Sequence, residues 1–234
     1  MPRIVCLSDT HNCTHEIEVP DGDILIHAGD ATIRGTVDEV AAFNRWFKRL
    51  PHPHKIFVAG NHDWLFELDN EQARSLLDPT IIYLQDSSVE IDGVSIYGSP
   101  WQPRFFDWAF NLDRGSQMAE KWAMIPDEID ILITHGPPHG ILDRTPNGDY
   151  AGCEELNKRI EQVRPAVHVF GHIHLGYGTL QRDATRFVNA CICDEEYAPS
   201  NAPISYELDG LQYVVVGAGD ILWAFVLNEP TGRR

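Results

Sequence analysis

The chain has 234 residues, 43% of them hydrophobic, and its 35 acidic against 18 basic residues give a formal charge of −17. That apolar fraction supplies a sizeable core, and the length fits one large domain better than two small ones. The acidic surplus argues against long nucleic acid or an anionic membrane as partner, since both need a basic footprint, and no apolar run approaches the ~18 residues that span a bilayer.

The chain enters at once into a strand-like segment, with no charged region followed by an apolar stretch, so a cytoplasmic, non-exported protein is the expectation. Residues 3–8 read as a short buried strand with Asp9-Thr10-His11 at its end. A second apolar strand, 23–28, closes in Gly29-Asp30. Between 36 and 50, Val37, Val40, Ala41, Phe43, Asn44 and Phe47 recur at helical spacing until Pro51. A third strand, 55–59, closes in Gly60-Asn61-His62-Asp63, where the glycine lets the chain turn sharply. Strands separated by loop and helix, each ending in a polar cluster, give an α/β pattern with parallel pairing.

A short helix over 71–77 precedes strands at 81–84, 89–91 and 94–97, the last two around a tight Asp92-Gly93 turn. An aromatic, turn-rich loop covers 99–111. Then come a helix at 116–124, a strand at 129–134 ending in His135-Gly136-Pro137-Pro138-His139, a helix at 152–163, and a strand at 166–170 ending in Gly171-His172-Ile173-His174. Short strands are expected at 176–180, 185–190 and 204–208, with a loop over 194–203. The apolar stretch 211–227 reads as strands around a Gly217-Ala218-Gly219-Asp220 hairpin turn. A domain over 1–208 therefore carries the chemistry, and 209–234 reads as an extension packed on it. The five cysteines are scattered and odd in number, which points to reduced packing thiols rather than a disulfide framework or a thiolate zinc site.

Ligands bind at the strand ends of open α/β sheets, so two sheet layers meeting along their strand ends would gather these clusters in one cleft. The candidates are Asp9, His11, Asp30, Asn61, His135, His172 and His174. Singly, Asp9 and Asp30 have an ordinary reading as turn formers or caps, and His135 as a satisfied buried histidine; the joint placement argues against it. Nitrogen and oxygen donors without thiolate suit manganese, iron, zinc or nickel. Seven donors exceed one tetrahedral ion but suit two divalent ions sharing a carboxylate, ~3.5–4 Å apart in two-metal hydrolases. Two such cations against two ligand carboxylates leave a positive site, which welcomes a phosphate.

Asp9-x-His11, Gly29-Asp30, Gly60-Asn61-His62-Asp63, His135 and Gly171-His172-x-His174 resemble the five-block signature of calcineurin-like metallophosphoesterases, in the expected order. Further stretches, Asp21-Gly22-Asp23, Tyr83-Leu84-Gln85-Asp86-Ser87, Pro100-Trp101, Phe110-Asn111-Leu112, Thr134-His135-Gly136-Pro137-Pro138 and His168-Val169-Phe170-Gly171, resemble its metallophosphoesterase-domain-containing, fetal-brain-239-like branch and bacterial relatives. This likeness runs to about residue 208.

The resemblance implies an α/β fold with a two-layer β-sandwich flanked by helices, and a metal-dependent phosphoric ester hydrolase. It implies two divalent metal ions, manganese first, with iron, zinc, nickel or cobalt as alternatives. Asp9, His11 and His174 would hold one ion, Asp30 would bridge, and Asn61, His135 and His172 would hold the other. His62 would face the phosphate, stabilising the transition state or protonating the leaving oxygen, with Asp63 orienting it. Metal-activated hydroxide would attack, with no covalent enzyme intermediate. The branch favours phosphodiesters, small cyclic nucleotides foremost, so the expected partner is a small phosphate ester, a nucleotide. A phosphomonoesterase or phosphoprotein phosphatase is the alternative, and a non-catalytic scaffold a third; a scaffold predicts lost ligands or a lost His62, and all are present.

Two readings of the 99–111 loop stay open. Trp101, Arg104, Phe105 and Trp108 either form a lid, with aromatics on a nucleobase and Arg104 on phosphate, or pin the loop to itself. His139 is a further substrate-contact candidate, and Asn189 lines the pocket or serves a turn. His27 is expected to pack within its strand. The oligomeric state, a homodimer among the options, is left open.

Overall fold

In the computed structural model, which describes residues 2–209 and 212–215, the register of the strands fixes where every polar cluster falls. Strand β1 (Arg3–Leu7) sends Ile4 and Cys6 to one face and Val5 and Leu7 to the other. Strand β2 (Ile24–His27) repeats the alternation, with Ile24 and Ile26 on the first face and Leu25 on the second. This is the period of two of a strand buried on both sides. His27 lies on the second face, with its ring 5.1 Å from Phe43 and 5.6 Å from Phe57, packed as its neighbours' alternation predicts.

Helix α1 (Val37–Phe47) starts at a reciprocal capping box between Thr36 and Glu39. Val40, Phe43 and Phe47 are its buried positions. The helix ends before Pro51, in a last turn tightened by Arg49 to Trp46 and Leu50 to Phe47 hydrogen bonds. Strand β3 (His54–Phe57), helices α2 (Leu65–Leu68) and α3 (Asn70–Leu76) and strand β4 (Ile81–Tyr83) complete the first half. Strands β1 to β4 are all parallel. Leu7 pairs with His27 and His27 with Phe57, so the ends of β1, β2 and β3 are level. A one-residue slip would turn each strand's apolar set over and misplace the loops that follow.

Strands β5 (Ser87–Ile91) and β6 (Val94–Ser99) form a hairpin on Asp92 and Gly93, with φ of 50° and 82°, as a two-residue turn requires. The short parallel pair β7 (Gln102–Pro103) and β8 (Asn111–Leu112) ties off the aromatic loop. Helix α4 (Ser116–Trp122), strand β9 (Ile131–Thr134), helix α5 (Glu154–Val163), and strands β10 (Val167–Phe170), β11 (Gly178–Arg182), β12 (Thr185–Asn189), β13 (Ile204–Asp209) and β14 (Gln212–Val215) follow. Strand β11 starts later than the sequence suggests because His174–Gly176 closes a 3-10 turn first.

Among the described residues two six-stranded sheets run β14-β13-β1-β2-β3-β4 and β11-β12-β10-β9-β6-β5. Between them lies the central core, with Ile4, Ile26 and Val58 from one and Ile96, Ile133 and Val169 from the other. Helices α1 to α3 cover the outer face of the first sheet, and α4 and α5 that of the second. The result is the α/β fold expected, a two-layer β-sandwich flanked by helices. The turn expected at 217–220, and the strands expected over 211–227 except for residues 212–215, lie outside the described residues. Among the described residues no helix is long and apolar enough to cross a membrane.

His27 and His168 are buried on the outer faces, with Nε2 3.0 Å from Thr10 Oγ1 and 2.8 Å from Thr134 Oγ1 respectively. Burial lowers both imidazoles to about 3, His27 despite the carboxylates of Asp9 and Asp30. The folded chain therefore keeps them neutral, while the unfolded chain takes up a proton on each below its ordinary pKa of ~6.5. Stability from this source is complete above that pH and falls as pH drops towards 3, by about 1.4 kcal/mol per pH unit and group. Urea unfolding at pH 6 and pH 5 should show a slope smaller by about one proton in His168→Gln than in the wild type. Identical slopes would contradict this.

Candidate metal centre

The strand ends place the polar residues in strained but well-held conformations. Asp9, His11, Asp30 and His172 have φ of 51°, 41°, 54° and 67°. Such left-handed backbone costs ~1–3 kcal/mol per residue and needs surrounding structure to over-determine it. Here Asp9 N–H donates to Gly29 O (2.8 Å) and His11 N–H to Asp30 O (3.1 Å). Asp30 Oδ1 accepts the N–H of His62 (2.8 Å), and the Asp9 carboxylate accepts that of His172 (3.0 Å). Gly60 and Gly171 are needed for close approach, because a Cβ would collide with Asp30 and His135 at the first and with Asp9 and Ser8 at the second.

Two groups of donors result, joined at Asp30. In one, Asp9 Oδ1 lies 3.4 Å from His174 Nε2 and 3.9 Å from His11 Nε2. In the other, Asp30 Oδ2 lies 3.3 Å from His135 Nε2, and Asn61 Oδ1 is 2.8 Å from that same nitrogen. His172 joins this second group, with its ring centroid 5.0 Å from that of His135. Asp30 Oδ2 is also 3.9 Å from His11 Nε2, so one carboxylate serves both halves.

The surroundings orient the imidazoles. Nδ1 of His11, His135 and His174 lies 3.2, 3.0 and 2.7 Å from the carbonyl oxygens of Thr32, Ala28 and Asp194. A carbonyl can only accept, so each Nδ1 carries the hydrogen and each Nε2 is turned into the cluster, the arrangement that prepares histidine for a metal. Two carboxylates, four imidazoles and an amide oxygen thus fit a pair of divalent cations.

Charge is distributed unevenly. Burial would raise Asp9 and Asp30, yet the His174 hydrogen bond at Asp9 and the His135 charge at Asp30, with the other imidazoles, hold both carboxyls well below the usual range. Burial opposes protonation of His135 and His174, but Asp30 lifts the first to about 9 and Asp9 the second to about 9. Burial dominates at His11 and His172, lowered to about 4 and about 3. Divalent cations compete with the His135 and His174 protons for the same nitrogens, so their binding strengthens as pH rises.

His62 stands beside this cluster. Its Nδ1 is 2.8 Å from Ile33 O, its Nε2 4.0 Å from Asp30 Oδ2, and the Trp108 indole stacks on its ring at 4.1 Å. The expectation that Asp63 orients this ring is corrected: the Ile33 carbonyl does so. Fully buried Asp63 accepts from Gly60, Ala31 and Thr32 N–H and from Thr32 Oγ1, at 2.8, 3.3, 3.0 and 2.7 Å. Burial, then the Asp30 charge, raises its carboxyl to about 6. Asp63 acts one step away, by fixing the turn whose Thr32 and Ile33 carbonyls hold His11 and His62. Asp63→Asn turns an amide N–H₂ towards these donors, and turnover should fall ~10–100-fold, as for loss of an outer-shell partner. Initial rates and metal analysis check this, and an unchanged rate would refute the positioning role.

The remaining candidates divide. Trp101 Nε1 donates to Asp86 (2.9 Å) and its ring meets Phe110, which pins the loop to itself. Arg104 is turned onto Asp113 (2.8 Å), an exposed pair. Phe105 sets its ring edge-on to His172 at 5.6 Å. The His139 ring lies 5.8 Å from Tyr150 rather than against the cluster, because its loop runs alongside Cys153. Asn189 donates to Ile173 O (2.9 Å) and so supports the segment that carries His174. Sequence reasoning missed Tyr197, whose ring is 4.7 Å from that of His11 and 5.4 Å from that of His174. Its only signal is an aromatic side chain in an otherwise polar loop.

The sequence model described as calcineurin-like phosphoesterase matches residues 2–176. Human metallophosphoesterase domain-containing protein 1 is 46% identical over 231 residues, which cover 88% of this chain and 71% of the human protein. A UPF0046 protein of Caenorhabditis elegans is 40% identical over 217 residues, covering 87% of this chain and 74% of the worm protein. The solved structure of phosphopantetheinyl hydrolase (PptH) from Mycobacterium tuberculosis superposes with a TM-score of 0.56 at 14% identity, over 83% of this chain and 90% of that one, a likeness of fold alone.

Proposed function

This chain belongs to the calcineurin-like phosphoesterase family, and from that premise we propose that it is a phosphodiesterase of small nucleotide diesters, cyclic ones foremost, working in the cytoplasm. The observation that carries the reading is Asp30, a buried carboxylate shared by two groups of inward-turned imidazoles. Asp9, His11 and His174 would hold one divalent ion, Asn61, His135 and His172 the other, and Asp30 would lie between; manganese is the ion proposed first. When bound, such ions supply positive charge for a phosphoryl oxygen and activate water at neutral pH.

The protein's own residues do the rest. Asp9 and Asp30 fix the spacing of the two halves through the backbone N–H groups of His172 and His62. With Nδ1–H of His62 committed to the Ile33 carbonyl, its Nε2 is the atom that holds or releases a proton at the leaving oxygen. Phe105, Trp108 and Tyr197 border the cluster, which suits a small ester better than the broad groove of a phosphoprotein phosphatase.

The test is turnover by the manganese-loaded chain of bis(p-nitrophenyl) phosphate, p-nitrophenyl phosphate and 2′,3′- and 3′,5′-cyclic nucleotides. Diester turnover exceeding monoester turnover is the expected result. Monoester turnover alone would replace the reading by a phosphomonoesterase, and none at all with two ions bound would overturn enzymatic function.

A further inference from the structure

Two aromatic residues at the candidate metal centre, Tyr197 and Phe105, are held in place yet each is 46% exposed. Tyr197 adopts a φ of 62°, an uncommon conformation for a bulky side chain. A tight turn enforces it. Asp194 Oδ1 accepts the N–H groups of Glu196 (2.9 Å) and Ala198 (3.0 Å), and Tyr197 N–H donates to Asp194 O (2.9 Å). That same carbonyl holds His174 Nδ1 at 2.7 Å, so the turn that presents Tyr197 also orients a candidate ligand. The Tyr197 ring stands edge-on to His11 and His174, at 68° and 77°.

Phe105 borders the other half of the centre, edge-on to His172 at 86°. Asn111 fixes its backbone, accepting from Phe105 N–H (3.1 Å) and donating to Phe106 O (2.9 Å). The third aromatic, Trp108, is committed to stacking on His62. The nearby cation, Arg104, is engaged with Asp113. An ester arm leaving this centre therefore meets flat apolar surface, and recognition by shape and π-contact is the chemistry on offer.

From this we infer that Tyr197 and Phe105 form an aromatic clamp, one ring on each half of the centre, which selects phosphate esters with a planar, uncharged arm such as a nucleoside or an aryl group. The inference rests on the phosphoesterase reading above, and binding to inert phosphonates separates the two. The manganese-loaded full chain should bind phenylphosphonate roughly tenfold more tightly than methylphosphonate in calorimetry, the usual size of one stacking contact. Tyr197→Ala and Phe105→Ala should each cut that preference to about threefold or less, and Tyr197→Phe should keep it. Tyr197→Leu, which fills the space without a π-face, should behave as Tyr197→Ala and covers the case in which the smaller side chain lets the turn collapse. Equal binding of the two phosphonates by the wild type, or an intact preference in both alanine variants, would overturn the clamp. Bis(p-nitrophenyl) phosphate turnover is measured in parallel. The phenyl preference without turnover would count against the phosphoesterase reading and leave the clamp standing, whereas turnover without the preference would remove the clamp alone.

Discussion

Replacing Asp30 by asparagine is expected to abolish hydrolysis and to leave at most one tightly bound divalent ion per chain. Asp30 Oδ2 faces His135 at 3.3 Å, His11 at 3.9 Å and His62 at 4.0 Å, while Oδ1 accepts the His62 N–H. A neutral amide keeps the size but removes the charge shared by both halves of the centre. Loss of an outer-shell partner costs ~10–100-fold in metal affinity or activity, and loss of a shared ligand should exceed this. We expect turnover to drop by at least ~10³-fold, the upper end of removing one electrostatic stabiliser from an active site. Metal analysis after gel filtration, with initial rates, decides the matter: two ions retained at near-normal turnover would refute the bridging role.

His62→Ala should have the opposite signature, both ions retained and kcat lowered by ~10²–10⁴-fold, the usual worth of a positioned proton donor. Seven other donors complete the two groups, and the His62 ring is held from outside them by the Ile33 carbonyl and the Trp108 indole. Because His62 Nε2 also comes within reach of Asp30 and His11, the variant separates two roles. Loss of a metal ion in His62→Ala would make the ring a ligand; loss of rate alone would make it the proton carrier.

Much of the site was legible in the sequence because its parts sit where strands must end. Alternation such as Ile4/Cys6 against Val5/Leu7 sets the register, and level registers bring Asp9, Asp30 and Asn61 together without further information. The same alternation placed His27 in the packing beneath α1. What sequence could not supply were partnerships decided by loop geometry. Asp63 adjoins His62 in the chain, but its oxygens face the 31–33 turn, and only the fold shows three donors waiting there, beside the local N–H of Gly60. Arg104 carries a charge suited to phosphate, yet the β7–β8 pair turns it back onto Asp113. Tyr197 lies in a loop with no periodicity, and its position follows from the Asp194 turn rather than from any pattern of apolar residues.

The most direct test of a dinuclear phosphodiesterase is to titrate manganese into the metal-stripped chain, counting bound ions and following bis(p-nitrophenyl) phosphate hydrolysis in the same samples. A dinuclear centre predicts two ions per chain, turnover that appears with the second equivalent, and neither in Asp30→Asn. Full turnover with a single ion, or turnover that survives complete removal of metal, would contradict it.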